Sequence, residues 1–132
     1  MRNTIEILFG SGASAGTRLE WVKAGSSQAQ GGYDAYVDTA TIRREDGKVK
    51  MWHLQDFSVP QSADGKTYLS SKNWIEYDCK TPQRRLLYFS WSSEGMGAGD
   101  VLYRVDEPSD WKPILPGSMA EILWKIACAG KP

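Results

Sequence analysis

The fold turns on two stretches: Trp74-Ile75-Glu76-Tyr77-Asp78-Cys79, and Ser118-Met119-Ala120-Glu121-Ile122-Leu123-Trp124-Lys125-Ile126-Ala127-Cys128 near the end of the chain. In the first, Ile75, Tyr77 and Cys79 alternate with Trp74, Glu76 and Asp78, the period of two of a β-strand, so the cysteine emerges on the apolar side. In the second the period lengthens. After Pro116-Gly117, Ser118 and Glu121 form a capping box, and Met119, Ile122, Leu123, Ile126 and Ala127 fall along one stripe. Glu121 and Lys125 pair at i,i+4 opposite that stripe, and Gly130 supplies the stop. A helix with one apolar stripe needs a sheet to lie on, and Cys128 at the stripe's edge then comes within reach of Cys79 on the covered face. Bridging them closes a loop of about 49 residues, for which the chain-entropy relation gives roughly 4 kcal/mol, and belongs to an oxidising compartment. The alternative for the same pair is two reduced, buried thiols in a cytoplasmic protein.

Outward from this pair, residues 17 to about 105 are short apolar or aromatic stretches separated by turn residues, the pattern of about six antiparallel strands. Leu19 and Trp21 alternate with Arg18 and Glu20, and Tyr33, Ala35 and Val37 with Asp34 and Asp38. Thr41-Ile42-Arg43 leads into Glu45-Asp46-Gly47, whose Asp-Gly is a hairpin signal, with Lys48 to Phe57 as the return strand. There Val49 and Met51 point to one face and Trp52 and Leu54 to the other, which requires two partly covered faces or a bulge. Pro60 to Lys66 reads as a polar turn and Ser70-Ser71-Lys72 as loop. Arg85 to Trp91 and Val101 to Val105 complete the strands, around a loop whose Gly95, Gly97 and Gly99 suit positive φ.

At 132 residues the chain is one domain, residues 17–132, after a segment 1–16. In that segment Arg2, the short apolar run Ile5 to Phe9 and Ala13-Ser14-Ala15 outline a signal peptide with an A-x-A cleavage site. Glu6 interrupts the apolar run, so the segment reads as a tail or as a degenerate or truncated signal. Sixteen basic residues balance sixteen acidic ones, so no global field draws the chain to nucleic acid, and no nucleic-acid partner is expected. No apolar run approaches the roughly 18 residues of a membrane-spanning helix.

Motifs with a chemical reading weaken in context. Gly10-Ser11-Gly12-Ala13-Ser14-Ala15 has the G-x-G-x-x-A spacing of a dinucleotide loop, and Gly12 to Gly16 the G-x-S-x-G of a nucleophile elbow, yet both need an α/β chain and β signals follow here. His53, the one histidine, sits in an aromatic strand and is expected to pack. Ser70-Ser71-Lys72 lacks the desolvated neighbour that activates a serine. Asp34, Asp38, Glu76 and Asp78 do not have the density of a calcium loop, and two cysteines with one histidine are too few for zinc, so neither metal nor cofactor is expected. The six tryptophans, Trp21, Trp52, Trp74, Trp91, Trp111 and Trp124, are expected to be mostly core.

With these residues in order, the chain resembles the surface-adhesin protein E family of bacterial envelope proteins from Trp21 to Cys128. The resemblance rests on Trp21, Tyr36-Val37-Asp38, Thr41-Ile42-Arg43, Gly47 with Val49 and Trp52, Ser71-Lys72 and Tyr77-Asp78-Cys79. Arg84-Arg85, Gly99, Trp111, Pro116-Gly117-Ser118 and Cys128 follow. It implies an α+β fold: a curved antiparallel sheet with a C-terminal helix on its concave face, held by a disulfide. It also implies an exported protein of the periplasm or cell surface.

The expectation is therefore a non-enzymatic, adhesin-like module that binds a host or envelope protein, through a sheet edge or the basic pair Arg84-Arg85 beside Cys79. The alternatives are a periplasmic carrier of a small apolar ligand held between sheet and helix, and a structural envelope protein. Open end strands leave donors and acceptors free, so a homodimer is also an expectation.

Overall fold

The computed structural model describes residues 19–129. Its strands are β1 (Val22–Ser27), β2 (Tyr33–Glu45), β3 (Lys48–Ala63), β4 (Lys66–Asp78), β5 (Gln83–Ser92), β6 (Val101–Val105) and the two-residue β7 (Lys112–Pro113), followed by helix α1 (Met119–Cys128). The first six form an antiparallel meander in chain order, and β7 pairs with β5 along the edge it shares with β6. The sheet curls into a half-barrel with α1 on its concave side.

Local chemistry sets the two longest hairpins. Asp46 (φ 54°) with Gly47 (φ 78°), and Asp64 (φ 51°) with Gly65 (φ 74°), take the left-handed angles of a two-residue turn that suits the twist of the flanking strands. The curl needs breaks in the ladder, and the register slips between Asp38 and Arg43, between Asp56 and Gln61, and between Trp74 and Ile75. At the first slip the buried Asp38 carboxylate accepts the Ala40 amide at 3.0 Å and the Thr41 hydroxyl at 2.9 Å, holding the bulged segment.

On the concave face Val37, Val49, Met51, Ile75 and Tyr77 are buried against Leu123 and Ala127 of α1. A second cluster of Tyr33, Ala35, Phe57 and Tyr68 extends the core, with Trp91 stacked on Tyr68 at 4.3 Å. The helix is fixed at both ends. Ser118 accepts the Glu121 amide, while the Glu121 carboxylate accepts the Gly117 amide at 2.9 Å, one residue before the N-cap. At the other end Cys128 is bonded to Cys79 with Cα atoms 5.7 Å apart, the Arg44 guanidinium donates to the Ala127 carbonyl at 2.9 Å, and the Trp124 indole donates to the Asp78 carbonyl at 3.0 Å.

Several sequence expectations need correction. Trp21 precedes β1, which starts at Val22. Pro60 to Ala63 belongs to β3, so the turn is confined to Asp64-Gly65; Pro60 is tolerated because it falls in the Asp56 to Gln61 register slip, where no ladder pair needs its amide. Ser70-Ser71-Lys72 lies within β4. Ile122 is 42% exposed at the rim of α1, since the concave face admits only Leu123 and Ala127 fully. None of the six tryptophans is fully buried, because a single-layered sheet covers rings from one side only. Segment 1–16, with its Ala13-Ser14-Ala15 site, and Gly130 lie outside the described residues.

Reduction of the disulfide, or Cys79→Ser with Cys128→Ser, is expected to cost about 4 kcal/mol, from the loop of 49 residues it closes. Urea denaturation with and without reductant reads this directly. Arg44→Ala should cost a further ~1 kcal/mol by leaving the Ala127 carbonyl without its cationic donor.

Candidate functional site

Residues directly opposite one another in a ladder share a face, so the register sorts the side chains into two sets. His53, Ser71 and Asn73 lie on the concave side and are buried. The Asn73 amide lies 3.4 Å from His53 Nε2 and also donates to the Ser71 carbonyl, while the Ser71 hydroxyl donates to Asn73 Oδ1. His53 Nδ1 and the Tyr77 hydroxyl, both buried, have no hydrogen-bond partner among the described residues. Burial, with the charge of Arg84 adding to it, holds the His53 pKa down at about 3, and burial raises that of Tyr77. These groups form a packed polar seam, and the space between helix and sheet is filled by Met51, Ile75, Tyr77 and Leu123, all 3% exposed or less. A pocket beside the disulfide, between Gly47 and Cys128, holds only about 130 Å³, below the usual size of a small-molecule site.

The outer, convex face is built differently. Across β3, β4 and β5 the register aligns Trp52, Trp74 and Tyr88 in one row, all half-buried. Trp52 and Trp74 are 4.9 Å apart with planes tilted by 34°, and Tyr88 meets Trp52 edge-on at 5.8 Å. Above this row Glu76 is ion-paired to Arg85 at 2.8 Å, and the Arg85 guanidinium lies 4.9 Å from the Trp111 ring. Below it Lys72 lies 5.5 Å from the Trp52 ring, and Leu54 is buried. Leu54 is covered by the β5–β6 loop: an added Cβ on Gly97 would meet its Cδ1 at 3.6 Å. That loop is anchored by the Met96 amide on the Asp56 carboxylate and the Gly97 amide on Ser70 Oγ. Both faces of β3 are thus covered where Met51 and Leu54 point apart, without a bulge in β3 there.

The pair Arg84-Arg85 does not form one corner. Successive strand residues point to opposite faces, so Arg84, opposite Tyr77, falls on the concave side and Arg85, opposite Glu76, on the outer side. What the sequence reading missed is the Trp52–Trp74–Tyr88 row; the signal present was the even spacing of Trp52 with Leu54 and of Trp74 with Glu76, but pairing register was needed to bring them together. Among the described residues no three histidine, cysteine or acidic side chains converge as a metal-binding group, and no helix is long and apolar enough to cross a membrane.

The sequence model of the surface-adhesin protein E family matches residues 21–129, most of the chain. The chain belongs to this family. No curated protein matches it. Its fold is similar to crystal form II of protein E from Haemophilus influenzae, with 13% identity, a TM-score of 0.58, and 72% of this chain and 80% of that one covered. It is similar also to protein E of non-typeable Haemophilus influenzae, with 12% identity, a TM-score of 0.58, and 98% and 86% covered. At these identities the likeness concerns the fold.

In this member of the surface-adhesin protein E family, His53 sets a pH dependence. An unfolded histidine titrates near 6.5, so below that pH the unfolded chain takes up a proton that the folded chain, with its value near 3, refuses. Stability therefore falls as pH drops from about 6.5 toward 3, and at pH 5 the loss from this residue is about 2 kcal/mol. Urea midpoints at pH 7 and pH 5 should diverge for the native chain and draw together in His53→Gln; equal slopes would mean that His53 is solvated.

Proposed function

We propose that this chain is a non-catalytic, exported envelope protein that attaches to another protein, of the host or of the envelope, through the convex face of its sheet. The observation that carries the reading is the half-buried Trp52–Trp74–Tyr88 row, on the sheet face away from the helix. Aromatic residues flanked by arginine are the composition of protein-binding hot spots, where large rigid side chains lose little rotamer freedom on contact. Family membership supports attachment as the activity. The Cys79–Cys128 bond supports an oxidising compartment, the periplasm or the cell surface.

Trp74→Ala is expected to weaken saturable binding to immobilised host matrix proteins or purified outer-membrane proteins by tenfold or more, roughly the cost of truncating a hot-spot ring. Leu115→Ala, on an exposed residue outside this face, should leave binding unchanged. The denaturation midpoint of each variant, measured alongside, separates lost contact from lost fold. Equal binding by Trp74→Ala and the native chain would remove the convex face from the function.

A further inference from the structure

The charges around the aromatic row differ less in number than in what already holds them. By register the convex face carries Lys23, Arg43, Lys48, Lys50, Lys72, Arg85 and Arg104 against Asp34, Asp38, Glu45, Asp56, Glu76 and Asp78. Five of these six acids are occupied internally, and the sixth, Glu45, lies opposite Lys48 at the turn end of the face. Asp34 is held by Lys23 at 3.3 Å and by the Ser26 hydroxyl, Glu76 by Arg85, and Asp38, Asp56 and Asp78 by backbone amides. Arg43 and Arg104 are exposed and Lys50 half-buried. Arg43 and Lys50, directly opposite each other, also line an open groove of about 350 Å³ that reaches Glu76, in the row next to Trp52 and Trp74, with Arg44, Lys48, Glu45 and Asp46 as its other walls. At the far side, past the end of β6, the chain turns acidic at Asp106 and Glu107.

We propose that the partner's contact is an acidic protein segment carrying one aromatic or aliphatic side chain. That side chain would sit on Trp52, Trp74 and Tyr88, and the acidic residues would run from there toward Lys50 and Arg43, away from Asp106 and Glu107. The inference rests on the convex face being the binding surface and adds the chemistry of what binds. Ring geometry favours a side chain over a sugar chain or a run of bases: a stacking platform presents successive rings roughly parallel, whereas Trp52 and Trp74 are tilted by 34° and Tyr88 stands at 78° to Trp52. A tilted cluster of this kind leaves a notch for one inserted group, and cations at its rim act on approach rate and on partner choice more than on the contact itself.

The test is an array of synthetic peptides graded from acidic to basic, each with and without a leucine or tryptophan anchor, probed with the oxidised full-length chain and followed by titration of the strongest binders. Acidic, anchored peptides should bind, and binding should weaken as salt is raised from low to physiological ionic strength. The double variant Arg43→Glu with Lys50→Glu should weaken the acidic binders roughly tenfold and shift preference toward basic ones, whereas Trp74→Ala should weaken binding whatever the peptide charge. Equal binding of basic or neutral peptides, or no peptide binding at all, would overturn the proposal. So would heparin binding lost in the same charge variants, which would mean an anionic glycan, or self-association lost in Trp74→Ala, which would mean a second copy of the chain. If Trp74→Ala abolishes attachment to protein-coated surfaces while the charge variant does not, the binding face stands and its acidic partner falls; if neither matters, both fall.

Discussion

One ten-residue helix held against the concave side of a curled sheet is the constraint on which the rest of this molecule depends. A helix of that length is marginal in water, and its stripe buries only Leu123 and Ala127 completely. Contact area alone is thin for the task, and the chain supplements it at defined points. The Cys79–Cys128 bond fixes the last residue of α1 to the residue after β4, Arg44 takes the Ala127 carbonyl, and Trp124 takes the Asp78 carbonyl. All three act toward one end of the helix, so the sheet is closed most firmly where β2 and β4 end and β3 begins.

Closing the concave side with one short helix leaves the convex side without a covering layer. An open antiparallel sheet tolerates this when its outer residues are polar, and much of the outer set here is. The exception is the Trp52–Trp74–Tyr88 row, whose rings shield one another only in part. Leu54, in the next row, has been handled differently, with a loop folded over it and anchored on Asp56 and Ser70. The contrast between a buried leucine and half-buried tryptophans on the same face is what singles out the aromatic row as a contact surface. The bulges that curl the sheet also set which residues reach each face, so fold and binding surface share one cause.

The sequence made the architecture legible because its strongest signals were local: Asp46-Gly47, the Ser118 capping box, and the alternation that set Cys79 with Ile75 and Tyr77. Boundaries failed where tertiary structure overrode a local cue, as at Pro60, which a register slip accommodates inside β3, and at Ser70 to Lys72, where the Ser70 hydroxyl anchors a distant loop while the Ser71 hydroxyl bonds Asn73 on the same strand. The binding surface was less legible still. Trp52 and Trp74 are 22 residues apart, and only the pairing of β3 with β4 sets them side by side. Arg84-Arg85 looked like one basic corner because adjacency in sequence was read as adjacency in space, which a strand forbids.

The most direct test of this account is a non-reducing peptide map of the chain isolated from the envelope fraction of an expressing bacterium. The account requires a single linked pair of peptides carrying Cys79 and Cys128, with no free thiol before reduction and two after it. Two free thiols in the isolated protein would contradict it, removing the tether of α1 and the oxidising compartment together.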